Sequence, residues 1–169
     1  MRKCKYNDLD KIEENLYLGD YSSCVDIQQI KDKKIRKVLT VMDYLGGPNY
    51  NPQQIIHKRF DIADVSQENI IKYFGECLNF IKGEEKVLVH CMAGASRSAT
   101  IVIAYLMWTK KWKFEEAFKY VQSKRPIVCP NDGFQQQLKM FEKLLIDNEY
   151  DINKINFKDI KWEPPETLF

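Results

Sequence analysis

Apolar positions along this chain keep two rhythms, and their alternation predicts the layers of the fold. Compact runs of strand character occur at Leu16-Tyr17-Leu18, Lys37-Val38-Leu39-Thr40-Val41-Met42, residues 55–62 and Lys86-Val87-Leu88-Val89. Between them the period lengthens to that of a helix. Residues 21–30 read as a short helix, and Ile70, Phe74, Leu78 and Ile81 mark a longer one. Phe114, Ala117, Phe118 and Val121 form another stripe, as do Phe134, Leu138, Phe141, Leu144 and Leu145, with Asn131 or Asp132 placed to cap the start. These stripes are assigned to the core. Residues 99–107 are apolar nearly all round, which predicts a helix buried in the middle of the domain. Gly46-Gly47-Pro48-Asn49-Tyr50-Asn51-Pro52 is a loop on its turn chemistry. Strands alternating with helices predict an α/β domain. From about Asp147 the period fails, and Trp162-Glu163-Pro164-Pro165 reads as extended chain. The expected organisation is one domain over residues 1–146 and a tail over 147–169 packed back upon it.

The richest chemistry lies where the last strand run meets the all-apolar helix: His90-Cys91-Met92-Ala93-Gly94-Ala95-Ser96-Arg97-Ser98. A tight loop there, with successive N–H groups turned inward, makes a cradle for one tetrahedral dianion. The start of the helix adds its own unpaired N–H groups and the positive end of its dipole. That field favours a thiolate at Cys91, hence a nucleophile. Arg97 closes the loop with a planar fork suited to two phosphate oxygens. The loop residues Met92, Ala93, Gly94, Ala95 and Ser96, with Arg97, are therefore the candidate substrate-binding set. The invited chemistry is phosphoryl transfer to sulfur. Taken singly, Cys91 reads as a small buried hydrophobe and Arg97 as a solvated helix charge; it is the strand–loop–helix setting that favours chemistry.

This stretch resembles the H-C-x5-R-S signature of the cysteine-dependent protein phosphatases. Its surroundings, from Ile12-Glu13-Glu14-Asn15-Leu16-Tyr17-Leu18-Gly19 to Asn131-Asp132-Gly133-Phe134-Gln135-Gln136-Gln137-Leu138, resemble the compact dual-specificity branch. The resemblance implies a central mixed, mostly parallel sheet of about five strands flanked by helices on both sides. It implies hydrolysis of phosphotyrosine and of phosphoserine or phosphothreonine in proteins, without a metal or other cofactor. It also implies that Ser98 donates to the sulfur as it leaves, that His90 orients the loop from within the core, and that Asn131 braces the loop. Relatives acting on inositol lipids commonly carry lysine where this loop has Met92, Ala93 and Ala95. The lipid reading is weakened accordingly. A compact chain implies a shallow site that admits short as well as long phosphorylated side chains.

The leaving oxygen needs a proton, and one carboxyl group can serve as acid and then as base. Asp64 is favoured because it falls just past a strand, in a loop able to project over Cys91. Asp61, within the strand run, and Asp43 are the alternatives. Residues 82–85 read as a clipped turn between this acid and the nucleophile.

Composition narrows the setting. The chain has 169 residues, 44% of them hydrophobic, and a net charge of +2, too small to argue for nucleic acid or an anionic membrane as partner. The cluster Lys110, Lys111, Lys113, Lys124 and Arg125 reads as solvated helix surface. Met1-Arg2-Lys3-Cys4-Lys5 lacks a signal-peptide core, and Arg2 stands where myristoylation needs glycine. Five irregularly spaced cysteines read as reduced thiols of the cytoplasm or nucleus, with Cys129 or Cys24 as possible partners of an oxidised Cys91. With only His57 and His90, far apart in sequence, a metal site is not expected.

Overall fold

The computed structural model describes residues 8–43 and 46–165. The expectations placed on residues 1–5, including Cys4, and on the last four residues of the tail lie outside these. Strands β1 (Leu9–Glu13), β2 (Leu16–Gly19), β3 (Ile35–Val41), β4 (Ile56–Phe60) and β5 (Lys86–His90) form one five-stranded sheet in the order β1-β2-β5-β3-β4. Only β1 runs antiparallel to its neighbour; β2, β5, β3 and β4 are parallel. The expected mixed, mostly parallel sheet is thus the one found. β5, the last strand in sequence, is central.

Strand alternation divides the apolar residues between two faces. Leu16, Leu18, Leu39, Val41, Val87 and Val89 join the larger core, beneath α3 (Phe74–Ile81), α4 (Arg97–Lys110), α5 (Phe114–Lys124) and α6 (Asp132–Asp147). Tyr17, Val38 and Leu88 face a smaller core with Cys24 and Ile30, from α1 (Tyr21–Val25) and α2 (Ile27–Asp32). Helices therefore cover both faces, as such a sheet requires. α4 is the central helix that its composition predicts: residues 97–104, Leu106 and Met107 are all buried. At roughly 1.5–3 kcal/mol for each large apolar side chain so placed, this is a rigid base for the loop that precedes it.

Several elements differ from the expectation. The single helix over 21–30 is two, because Asp26 ends α1 and its carboxylate caps α2 by accepting from Gln29 N at 2.9 Å. The 70–81 helix begins as a 3-10 turn over Ile71–Tyr73. β1 was not visible in the hydrophobic pattern. Gly83, at φ +126°, makes the short turn from α3 into β5. Beyond α6 the chain stays on the body: Ile152 and Phe157, in two 3-10 turns, enter the larger core. Asn69 Nδ2 donates to Ile160 O, and Trp162 Nε1 to Ser66 O, both at 2.8 Å. No helix among the described residues is long and apolar enough to cross a membrane.

Candidate active site

Cys91 follows β5 directly, at the C-terminal edge of the parallel strands where open α/β sheets present their crevice. Six residues later α4 begins. The loop between them is held from outside by its carbonyls. Met92 O accepts from Tyr21 N at 3.0 Å and Ala95 O from Cys129 N at 2.8 Å. Gly94 O accepts from Arg125 Nε at 2.9 Å and Ala93 O from Arg125 Nη2 at 3.2 Å. In a trans peptide the C=O and the following N–H point opposite ways. Four carbonyls drawn outward thus turn the N–H groups of Ala93, Gly94, Ala95 and Ser96 inward.

The sulfur lies at the bottom of this ring. Cys91 is 1% exposed. Gly94 N donates to its Sγ at 3.2 Å, and Ser98 Oγ at 3.1 Å. These donors suit an anionic sulfur. Gly94 is the position where the backbone demands glycine: φ is +65°, and a Cβ would stand 2.5 Å from Gly19 O and 2.8 Å from Arg125 Nη2. The outer residues of the loop, Met92 and Ala93, are exposed.

Arg97 is fixed through one nitrogen. Its Nη1 donates to Asp43 Oδ1 at 2.7 Å and to Ile62 O at 3.0 Å. Its Nε is buried, has no hydrogen-bond partner among the described residues, and lies 4.0 Å from Asp64 Oδ2. A buried donor left open beside an inward-facing amide ring is a group prepared for a ligand oxygen.

The three candidate carboxylates separate cleanly. Asp61 is exposed and pairs with Arg59 Nε at 3.2 Å, away from the loop. Asp43 spends itself on Arg97. Asp64 is brought to the loop: its Oδ1 accepts from Ser96 Oγ at 2.7 Å and from Asn131 Nδ2 at 2.9 Å. Ser96 in turn accepts from Asn131 N at 3.1 Å. Asn131 also caps α6, its Oδ1 accepting from Phe134 N at 2.9 Å. One side chain thus joins the helix start to the Asp64 carboxylate. His90 lies beneath the loop, with Nδ1 donating to Cys91 O at 3.2 Å and Nε2 at 2.7 Å from Thr40 Oγ1. Burial pushes its imidazole down to about 4, so the ring is neutral near neutral pH.

Arg125 overturns the expectation of a solvated rim charge. It is 2% exposed, with Nη1 on Asp10 Oδ2 at 2.8 Å, and its guanidinium is the main outer brace of the loop. A signal existed: Arg125 continues the buried i, i+4 row of Ala117 and Val121, on which a bare surface cation is out of place. Cys24, Cys77, Cys91 and Cys129 are free thiols. Burial pushes the Cys24 thiol up to about 11, leaving it protonated at neutral pH.

Residues 16–144 match the family model described as dual specificity phosphatase, catalytic domain. The chain is 37% identical over 139 residues to tyrosine-protein phosphatase yvh1 of Schizosaccharomyces pombe, spanning 80% of this chain and 42% of that one. It is 37% identical over 145 residues to dual specificity protein phosphatase 1B of Arabidopsis thaliana, spanning 83% and 86% respectively. The crystal structure of human tyrosine phosphatase-like serine/threonine/tyrosine-interacting protein superposes with a TM-score of 0.77 at 35% identity, over 82% of this chain and 97% of that one.

Proposed function

Given that the chain belongs to the dual specificity phosphatase catalytic-domain family, we propose that it hydrolyses phosphotyrosine and phosphoserine or phosphothreonine in proteins through a cysteinyl-phosphate intermediate. The observation that carries this reading is the set of outward-bound carbonyls, which turns the loop amides into an anion cradle directly over Cys91 Sγ.

Three phosphate oxygens dock on the inward N–H groups and on Arg97 Nε, with phosphorus above the sulfur. The Sγ lone pair forms the S–P bond as the P–O bond to the side chain breaks, and the departing oxygen takes the proton of Asp64. Asp64 Oδ1 is occupied by Ser96 and Asn131, which leaves Oδ2, on the Arg97 side, to carry that proton. In the second step Asp64, now a carboxylate, removes a proton from water; the water oxygen bonds phosphorus and the S–P bond breaks. Ser98 Oγ, already directed at Sγ, stabilises the returning thiolate. Electrostatic positioning by the fixed amides and guanidinium is the largest contribution, since it acts without reorganisation. Gly94, Ala95, Ser96 and their neighbours bind through backbone, and the uncharged Met92, Ala93 and Ala95 side chains suit a monophosphate rather than a poly-anion. His90, Arg125 and Asn131 position the machinery.

The test is turnover of p-nitrophenyl phosphate and of phosphotyrosine, phosphoserine and phosphothreonine peptides in excess chelator. Activity is expected to persist, to vanish in Cys91→Ser, and to yield a phosphorylated Cys91 peptide after rapid acid quench. Full activity in Cys91→Ser overturns the mechanism. One neighbour is named a phosphatase-like interacting protein, which gives the second reading, a module that binds phosphate without turnover. Stable retention of phosphopeptide by the unaltered chain, with no phosphate released, supports that reading instead.

A further inference from the structure

His57 has no part in the mechanism above, yet it is tied to it by hydrogen bonds. The parallel register sets β3 between β4 and β5, with Thr40 across from His90 on one side and Val38 across from His57 on the other. Thr40 Oγ1 stands 2.8 Å from His57 Nε2 and 2.7 Å from His90 Nε2, and His90 Nδ1 stands 3.2 Å from Cys91 O.

Counting hydrogens gives this chain a single direction. A carbonyl only accepts, so His90 Nδ1 carries its ring hydrogen. The buried neutral ring then has a lone pair at Nε2, and Thr40 must donate its one hydrogen there. Having donated, the Thr40 oxygen can only accept from the other side. His57 Nε2 must therefore carry a hydrogen. The neutral Nε2–H tautomer and the imidazolium both satisfy this; the Nδ1–H tautomer sets two lone pairs against each other.

We propose that His57 is a positioning residue for Cys91, acting through Thr40 and His90 on the Cys91–Met92 peptide. Hydrogen bonds in series polarise one another. Donation to Cys91 C=O polarises the Cys91–Met92 peptide and so strengthens its Met92 N–H, which in a trans peptide points away from His90. The relay ends at a partly exposed residue: His57 opens on a cavity of about 170 Å³ lined also by Cys24, Thr40, Arg59 and His90. The groups facing it are the Tyr50 ring, edge-on with centroids 5.0 Å apart, the Arg59 guanidinium on the same face of β4, and the protonated thiol of Cys24 from α1. Among the described residues that line the cavity there is no carboxylate, and the side-chain contact His57 makes there is with Thr40 Oγ1.

The inference rests on Cys91 being the nucleophile, and its test reads the sulfur itself, so that its failure is distinct from absence of turnover. Alkylation of Cys91 by iodoacetamide is followed from about pH 4.5 to about pH 8, with the modified peptide identified by mass, in His57→Phe, His57→Gln, Thr40→Val and Thr40→Ser. Phe keeps the edge contact with Tyr50 and cannot donate; Gln and Ser restore a donor. Alkylation near pH 6 is expected to slow roughly threefold to tenfold in His57→Phe and Thr40→Val, and to stay near the unaltered rate in His57→Gln and Thr40→Ser. An unchanged profile in His57→Phe overturns the proposal, even if melting temperature falls. So does a His57→Gln profile as slow as that of His57→Phe, because packing rather than donation would then be the cause.

Discussion

Asp64 presents two oxygens with different duties. Oδ1 is anchored by Ser96 and Asn131, while Oδ2 faces the space beside Arg97 Nε. Asn in its place retains an acceptor for both anchors and loses only the proton. Asp64→Asn is therefore expected to lower kcat about a hundredfold or more on phosphotyrosine peptide, with KM little changed. The loss on p-nitrophenyl phosphate should be much smaller, because that phenolate leaves without a proton. Steady-state kinetics on the two substrates check this, and equal losses on both would move the acid elsewhere. At this scale the sequence was informative where chemistry dictates spacing. Cys91, Arg97 and Ser98 stand together because one loop must present all three, and Asp64 was separable from Asp61 by its place after the strand. It offered Asp43 only as an alternative acid and gave no sign of its bond to Arg97, which spans 54 positions, and it was silent on Thr40, whose hydroxyl lies among Val38, Leu39 and Val41. Arg125 reads as a surface charge in sequence because it follows Lys124, while its neighbours in space are the Ala93 and Gly94 carbonyls and the Asp10 carboxylate.

The loop that carries Asp64 is steadied by two elements from far along the chain. α6 approaches so closely that a Cβ on Gly133 would stand 2.1 Å from Ser66 O. The C-terminal segment then donates Trp162 Nε1 to that same Ser66 carbonyl and accepts at Ile160 O from Asn69. Ser66 is two residues from Asp64. Trp162→Phe keeps an aromatic ring over the loop and removes the donor, a bond worth roughly 0.5–1.5 kcal/mol. The expected result is a fall in kcat of about threefold to tenfold with KM nearly unchanged, while alkylation of Cys91 proceeds at its ordinary rate. Unaltered kcat would show that the acid loop is held without the tail. Periodicity could not reveal this strap, because Ile152, Phe157, Ile160 and Trp162 lie in 3-10 turns and extended chain that have no sustained period. β1 escaped notice for a related reason. It is an edge strand with one apolar residue to each core, Leu9 to the smaller and Ile12 to the larger, and a register shift between Lys11 and Glu13 breaks its alternation. The long helices and central strands were legible because each buries a continuous stripe.

Across the whole molecule, the central strand β5 ends in a buried histidine on which both sheet neighbours and the catalytic loop converge, and this sets an acid limit on the fold. His90 titrates near its ordinary 6.5 when unfolded and at about 4 in the fold, chiefly because burial disfavours the charged ring. Between those two values the unfolded chain binds a proton that the folded chain refuses. By linkage, stability rises with pH across that window and is lost as pH falls from about 6.5 to about 4. The full difference corresponds to about 3 kcal/mol, after which His90 contributes no further loss. His57 is shifted in the same direction, by burial and by Arg59, and adds to the slope. Urea unfolding at several pH values between about 4 and about 7 measures the effect in the unaltered chain and in His90→Gln, whose amide replaces the two ring nitrogens without titrating. The variant is expected to begin less stable at neutral pH, because its donor geometry to Cys91 O and Thr40 is poorer, and to lose distinctly less stability on acidification. The residual slope then belongs to His57 and the carboxylates. Parallel pH slopes in the two proteins would mean that the buried imidazole accepts its proton in the fold as readily as in water, and the one-way relay from His57 to Cys91 would lose the neutral ring on which its direction depends.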